Sequence, residues 1–156
     1  LWAKNLQVVT GANTVQYNTL HTDKIDGSNK PDIALDVGNL GGMYANKILL
    51  MGTEDGVGVN SKGVIAANSG DIIVTNAGKV VLGGSTTASG NIQIQAKGFS
   101  NQGTLYAGGN TNVVTQGELA NSGVLAAGQQ TMLTAGTVNS TGTLGAGVKS
   151  DGSLGT

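Results

Sequence analysis

The chain has 156 residues, 27 of them glycine, with 38% hydrophobic residues, only 11% charged residues and a net charge of −1. This composition argues against disorder, which combines high net charge with few apolar residues, and against collagen, because glycine has no three-residue period. All eight basic residues are lysine, so the arginine fork that often reads phosphates and base edges is absent, and no nucleic-acid role is expected.

Cysteine is absent, which excludes disulfide scaffolds and cysteine-based zinc sites. No apolar run approaches the ~20 residues of a membrane-spanning helix, so no span is predicted. The chain starts at Leu1 rather than methionine and stops at Thr156 without a capping element, so we expect a piece of a longer protein.

The first third of the chain alternates short apolar runs with polar turns. Strands are predicted at residues 6–10 and 14–17. Residues 18–32 hold the only histidine and the only proline and are predicted to form a surface loop. Further strands are predicted at residues 33–37 and 47–51, the latter being the most apolar run.

The remainder consists of imperfect repeats. The segment Asn-Gln-Gly-Thr-Leu-Tyr-Ala-Gly from Asn101 recurs as Asn-Ser-Gly-Val-Leu-Ala-Ala-Gly from Asn121, and a looser copy starts at Asn139. Related segments start at Ser61 and Asn76. One glycine of each copy is assigned to the same place in the repeat, and these are Gly63, Gly78, Gly103, Gly123 and Gly142. Their average spacing gives a period of about 20 residues, short enough for a solenoid repeat.

Each repeat also contains a second run rich in β-branched residues, and no segment shows a sustained helical period. These runs are residues 71–75, 91–96, 111–115 and 130–134. Short strands, glycine-rich corners and a period near 20 predict an all-β parallel β-helix with coils of about 20 residues, stacked about 4.8 Å apart. An antiparallel sandwich is the alternative, but it predicts strands every 8–12 residues rather than whole copies of about 20.

Three details follow from this fold. Ile65, Leu105 and Leu125 are predicted to share one interior column, because their positions differ by one or two whole repeats. Residues 85–90 are predicted to bulge out as a loop. The asparagines near the coil starts either form an amide ladder between coils or merely tolerate turn geometry; they are Asn60, Asn76, Asn101, Asn121 and Asn139.

A search for chemistry yields no catalytic, cofactor-binding or metal-ligating residue, and no cofactor is predicted. Glu54 and Asp55 are adjacent, so they point to opposite sides of an extended chain, and a solvated turn is expected. His21 has no nucleophile or carboxylate frame near it. Gly78-Lys79 lacks the spacing of a phosphate-binding loop, and the aromatic residues do not cluster, so they are expected to pack in the core or a cap.

The segment from Ala34 to Asn60, with Leu-Gly-Gly-Met-Tyr-Ala at its centre, closely resembles filamentous haemagglutinin-type exoproteins of bacterial two-partner secretion. Residues 6–13 and the Asn-x-Gly-x-Leu-x-Ala-Gly copies are similar to that family as well, so the resemblance covers nearly the whole chain. It implies a right-handed, single-stranded parallel β-helix. Residues 1–59 would be the end of the amino-terminal secretion-type domain, and residues 60–156 would be haemagglutinin-type repeats of the same continuous solenoid.

The resemblance also implies a function. The parent would be exported through an outer-membrane two-partner secretion transporter and displayed on, or released from, a Gram-negative cell, and this segment would be a non-enzymatic shaft. Adhesion, contact-dependent toxin delivery and haemolysis remain open as the parent's task, and its receptor is unknown. A carbohydrate-binding or carbohydrate-cleaving β-helix is the alternative. The family's Asn-Pro-Asn secretion motifs are absent, so we expect the segment that engages the transporter to lie outside this chain.

Overall fold

The computed structural model describes residues 2–10, 13–15, 22–24, 33–36, 43–52 and 58–147. Within these ranges the chain forms β-strands and no helix. The strands of the first part are β1 Trp2–Thr10, β2 Asn13–Val15, β3 Thr22–Lys24, β4 Ile33–Asp36, β5 Met43–Gly52, β6 Gly58–Ser61, β7 Val64–Ala67, β8 Ile72–Asn76, β9 Lys79–Leu82 and β10 Ser85–Ala88. The later strands are β11 Ile92–Ala96, β12 Gly98–Asn101, β13 Thr104–Ala107, β14 Thr111–Thr115, β15 Glu118–Asn121, β16 Val124–Ala127, β17 Thr131–Thr134, β18 Thr137–Ser140 and β19 Thr143–Gly145.

The strands stack into a parallel β-solenoid with three faces. Face A is the sheet β4-β6-β9-β12-β15-β18, face B is the run β7-β10-β13-β16-β19, and face C is the run β8-β11-β14-β17. Strand β5 joins faces B and C, because its first half pairs with β7 and its second half with β8. On the other side of β5 lies β1, paired with it in parallel from Trp2 to Thr10. Each coil therefore runs through faces A, B and C in turn.

The strand register confirms the coil length predicted from the repeats. On face B, Ile65 pairs with Thr86, and Thr86 pairs with Leu105. Leu105 pairs in turn with Leu125. Each pairing advances the chain by one repeat, in agreement with coils of about 20 residues. The step varies slightly because the corners between strands differ in length, while the paired strands keep their register.

Alternating side chains fill the interior, as the pleat of a strand requires. The predicted column on face B is confirmed, since Ile65, Leu105 and Leu125 are each at most 1% exposed. Beside it runs a column made entirely of alanine: Ala45, Ala67, Ala88, Ala107 and Ala127. Face C contributes Ile48, Ile72 and Ile92 in successive coils. These columns make one continuous aliphatic core, to which Leu6 and Val8 of β1 add partly buried side chains.

Glycine is required at the corner between faces A and B because neighbouring coils meet there at close range. An added Cβ at Gly123 would lie 1.9 Å from the carbonyl oxygen of Gly103, and one at Gly84 would lie 2.1 Å from that of Gly63. The column is therefore Gly63, Gly84, Gly103, Gly123 and Gly142. The assignment of Gly78 to this column was wrong, since it precedes β9 at the corner between faces C and A.

The predicted loop at residues 85–90 was also wrong. Ser85–Ala88 is strand β10, paired on both sides with β7 and β13. Thr86 takes the place of a leucine in the interior column and is 2% exposed. The polar composition of this segment led to the loop prediction, but the segment is a strand whose inward positions hold the small side chains of Thr86 and Ala88.

The first third follows the predicted strands approximately. Strand β1 covers the run at 6–10, β4 lies at Ile33–Asp36, and β5 extends the predicted 47–51 strand in both directions. Strands β2 and β3 form an antiparallel pair. Apart from β3, the predicted loop at 18–32 lies outside the described residues.

Candidate functional site

One inward column of face A is mostly polar: Ser61, Asn101 and Asn121 are buried in it, whereas Ser140 at its end is exposed. Its members in successive coils are Ser61, Leu82, Asn101, Asn121 and Ser140. The Nδ2 atom of Asn101 donates to Oδ1 of Asn121 at 2.9 Å and to the carbonyl of Val124 at 2.8 Å. Asn121 in turn donates to Ser140 Oγ at 3.3 Å and to the carbonyl of Thr143 at 3.1 Å. The amide ladder proposed from the sequence therefore exists between these two asparagines.

The other asparagines proposed for the ladder lie elsewhere. Asn60 pairs with Val81, Asn139 pairs with Ala120, and Asn76 ends a strand of face C. The ladder stops at Leu82, whose side chain cannot donate a hydrogen bond, so Oδ1 of Asn101 has no partner among the residues that the structure describes. Asn101 and Asn121 form a pair because their side chains point inward. Asn60 and Asn139 each stand one residue earlier in their strands, so their side chains point to the other side of the sheet.

A second ladder, which the sequence reasoning missed, follows the corner between faces B and C. The backbone N–H of Asn91 donates to Asp71 Oδ1 at 2.7 Å, that of Asn110 donates to Asn91 Oδ1 at 2.8 Å, and that of Gln130 donates to Asn110 Oδ1 at 3.1 Å. Each acceptor precedes a face C strand by one residue. A recurring Asp or Asn directly before the β-branched runs was the available signal. These side chains satisfy corner N–H groups that no strand pairs.

A groove of about 600 Å³ lies at the corner between faces C and A. This corner groove is defined by the outward Thr75, Gln95 and Val114 of face C, by the corner residues Ala77, Lys97 and Gln116, and by Gly52, Asn76 and Ala96. Thr75, Gln95 and Val114 are paired neighbours in successive coils, so they form a continuous wall. Apart from Lys97, every lining side chain is uncharged, and three of the nine are carboxamides.

Asn76 lines this groove and is 5% exposed. Neither its Oδ1 nor its Nδ2 has a hydrogen-bond partner among the residues that the structure describes. The side chain fits because the paired residue is Gly52, where an added Cβ would lie 2.1 Å from Asn76 Oδ1. Asn76 follows the outward Thr75, so its side chain lies on the inward side of β8, where an unpaired buried carboxamide costs about 1–3 kcal/mol.

The residues considered for chemistry are not brought together. His21, Glu54 and Asp55 lie outside the described residues. No group of three potential metal ligands occurs in the described ranges. The part of the chain that the structure describes also contains no helix suited to crossing a membrane.

The aromatic residues divide between core and surface. Phe99 is fully buried on the inward side of face A, where it is paired with Val80 and Leu119, as expected for core packing. Tyr44 and Tyr106 are half-buried and stand in one outward column of face B, with Ala66 and Thr87 in the two coils between them. Tyr17 lies outside the described residues.

The architecture defines a class of protein: a repeat solenoid with an aliphatic core, polar inter-coil ladders and a surface poor in charge. A family model for the haemagglutinin repeat matches residues 8–84 and 87–155, and the chain belongs to this family. The resemblance to haemagglutinin-type exoproteins and the parallel β-helix prediction are both confirmed.

Curated relatives support the same assignment. The chain is 44% identical over 109 residues to "Toxin CdiA" of Yersinia pestis, an alignment that covers 68% of this chain. It is 45% identical over 89 residues, or 56% of this chain, to "tRNA nuclease CdiA-2" of Burkholderia pseudomallei, and 43% identical over 97 residues, or 62%, to "16S rRNA endonuclease CdiA" of Enterobacter cloacae. In each case the chain spans 3% of the relative's length. No solved structure matches the chain at a significant level.

Proposed function

We propose that this chain is a structural, non-catalytic shaft segment of a large secreted exoprotein that delivers a toxin to neighbouring cells on contact. The observation that carries the proposal is the unbroken interior of the solenoid, in which each coil buries its apolar side chains against the next. The family membership and the names of the CdiA relatives support it. Because the matched region is 3% of those relatives, their toxin and nuclease activities belong to other parts of those proteins under this proposal.

The physical task of such a segment is to keep the active part of the parent protein at a fixed distance from the cell that displays it. In a repeat solenoid each coil contacts only its neighbours, so length grows with coil number while local packing stays the same. The aliphatic columns pack each coil against the next, and the two ladders add hydrogen bonds between some of the coils, which gives a rod rather than a flexible linker. Adhesion is the second task that the same rod would serve, because an adhesin also needs its binding site held away from the cell.

The proposal includes the route to the surface. The parent would pass an outer-membrane transporter of the two-partner class and reach the surface of a Gram-negative cell. Residues 1–59 would end the secretion-type domain and residues 60–156 would begin the repeats. The lack of cysteine is compatible with this route, because no disulfide can form while the chain crosses an oxidising periplasm.

Antibody raised against this chain provides the first test. Intact cells that express the parent should bind the antibody, and external protease should remove the signal. Exclusively cytosolic signal, seen only after lysis, would contradict the proposal.

Co-culture distinguishes the two tasks. Deleting this chain's segment from the parent should abolish growth inhibition of neighbouring cells if the rod serves toxin delivery. Loss of attachment with inhibition unchanged would favour adhesion instead.

A further inference from the structure

We propose that the outer surface of face A is a pairing surface for a second copy of this chain, with the two solenoid axes antiparallel. This inference goes beyond the shaft role, because a single rod suffices for a shaft. It starts from the outward residues of strands β6, β9, β12, β15 and β18, which stand in two columns on this face.

The first outward column carries one charge of each sign. Lys79 is paired with Gly98, and an added Cβ at Gly98 would lie 3.7 Å from both Lys79 Cγ and the carbonyl oxygen of Glu118. The three residues therefore follow one another in successive coils. Lys79 and Glu118 are both exposed, and two coil steps of about 9.6 Å in total separate their strands. The column thus has a positive group one coil before the glycine and a negative group one coil after it.

The second outward column has the same order of residue classes in both directions. In successive coils it contains Asn60, Val81, Ser100, Ala120 and Asn139. A carboxamide stands at each end, an apolar residue lies next to each carboxamide, and a serine is at the centre. Val81 and Ala120 are half-buried and Ser100 is 8% exposed, so two such faces can approach closely.

A two-fold axis directed along strand β12 makes this face complementary to itself. It turns one rod over onto the other and reverses the order of the coils, so each residue faces the residue at the opposite place in its column. Lys79 of one copy then faces Glu118 of the second copy, and Glu118 faces Lys79. In the other column the two carboxamides, Asn60 and Asn139, face each other in the same way.

The charges favour antiparallel rods over parallel ones. A two-fold axis directed along the solenoid would exchange the two columns without reversing the coils. Lys79 would then face Val81 and Glu118 would face Ala120, so each charge would lose hydration without gaining a counter-charge. Strands β7, β10, β13, β16 and β19 of face B and β8, β11, β14 and β17 of face C contain no charged residue, so they offer no such match. Lys97 lines the corner groove rather than face A.

The size of the face determines how strong the pairing is. The five strands have four residues each. From the rise and spacing of strands, two such faces bury about 600 Å² in total, which belongs to the weak, transient class of interface. The measurement therefore needs millimolar concentrations of the chain.

The first test is sedimentation equilibrium of the full 156-residue chain at low salt. Lys79→Glu and Glu118→Lys should each weaken self-association roughly tenfold, because both contacts between opposite charges become contacts between like charges. An equimolar mixture of the two variants should restore association, since every contact between unlike copies again joins opposite charges. Lys47→Glu is the matched control, because it reverses an exposed charge on β5, which joins faces B and C. It should leave association unchanged, and all variants should keep the melting temperature of the parent chain.

Cross-linking tests the geometry, because the chain has no cysteine of its own. A short bismaleimide should link an Asn60→Cys chain to an Asn139→Cys chain. It should not link two Asn60→Cys chains, whose substituted positions would lie four coil steps, or about 19 Å, apart. Asn68→Cys, an exposed residue between β7 and β8, is the control and should give only background linkage with Asn60→Cys.

Several results would overturn the proposal. These are the absence of association at millimolar chain, an equal loss from Lys47→Glu and Lys79→Glu, or a mixture of the two reversed variants that associates no better than either alone. Linkage of Asn60→Cys chains to each other would mean parallel rods and would refute the antiparallel arrangement. None of these outcomes affects the shaft role, which antibody accessibility and co-culture test separately.

Discussion

Replacing Leu125 by alanine removes a side chain from the interior column of face B, one coil before the last member of that column, Leu144. Leu125 is fully buried, with Leu105 paired to it on one side and Leu144 on the other. The change deletes three carbons, each contributing about 0.8 kcal/mol of transfer free energy, so the loss is about 2.4 kcal/mol before any cavity is counted. The backbone ladder on both sides prevents full collapse of the space, so the total cost in unfolding free energy should be about 3–4 kcal/mol.

The assay is urea denaturation of the full chain followed by far-ultraviolet circular dichroism. Val124→Ala is the matched control, because Val124 is the preceding residue of the same strand, points outward and is 38% exposed. It should cost no more than about 1 kcal/mol, the range of strand propensity differences. Ser122→Ala, at an exposed corner with one long hydrogen bond of 3.5 Å, should change the unfolding free energy by about 0.5 kcal/mol or less.

Similar costs for Leu125→Ala and Val124→Ala would refute the reasoning. They would mean that the inward and outward registers of β16 are exchanged, or that this coil unfolds separately from the rest. Two separate transitions in urea would identify the second case, since coils of a solenoid interact only with their neighbours.

The ladder and corner features give further predictions. Asn101→Ala should cost about 1–3 kcal/mol, because Asn121 Oδ1 and the Val124 carbonyl lose their buried donor, whereas Asn110→Ala at an exposed corner should cost less than about 1 kcal/mol; equal costs in urea melts would contradict the ladder's role. Gly123→Ala should cost at least about 2 kcal/mol through the clash with Gly103, while Gly98→Ala, whose added Cβ lies 3.7 Å from its nearest neighbours, should be tolerated; thermal melts that rank them the other way would show that the corner relaxes. Circular dichroism of the chain should show β structure, and a helix content above about a fifth would contradict the fold.

The coil period and the interior column could be predicted because they depend on patterns that repeat in the sequence. Leu105 and Leu125 sit at matching places in two near-identical copies, and the inward side of a strand accepts little besides aliphatic side chains. Strand pairing keeps equivalent residues of successive coils opposite each other even where a corner gains or loses one residue. The period therefore remained visible although the individual steps on face B are unequal in length.

The coil containing β9 and β10 was misread because its chemistry departs from that of its neighbours. Lys79–Leu82 is the apolar run of this coil but belongs to face A, whereas the equivalent of Leu105 is Thr86 in a polar segment. Matching by hydrophobicity therefore placed Gly78 where Gly84 belongs. Thr86 is tolerated inside the solenoid because its paired neighbours, Ile65 and Leu105, are aliphatic. The sequence of this one coil does not show that Thr86 faces inward.

The corner groove could not be predicted from the sequence at all. Its wall is built from Thr75, Gln95 and Val114, which lie a whole coil apart from one another and differ in chemistry. A search for repeats finds residues that recur from coil to coil. The wall of the groove consists of residues that differ between paired positions of adjacent coils, so such a search does not find it. The unpaired carboxamide of Asn76 depends likewise on its paired residue in the preceding coil, Gly52.

The direction of the inter-coil hydrogen bonds determines how the solenoid responds to force. These bonds run between stacked coils, nearly parallel to the long axis, as do the Asp71, Asn91 and Asn110 corner links. Tension along the axis is therefore shared at once by all the bonds of a junction, from three strands and their corners. A sideways pull on a terminal strand loads its bonds one after another, so the rod should resist stretching between its ends far better than peeling from one of them.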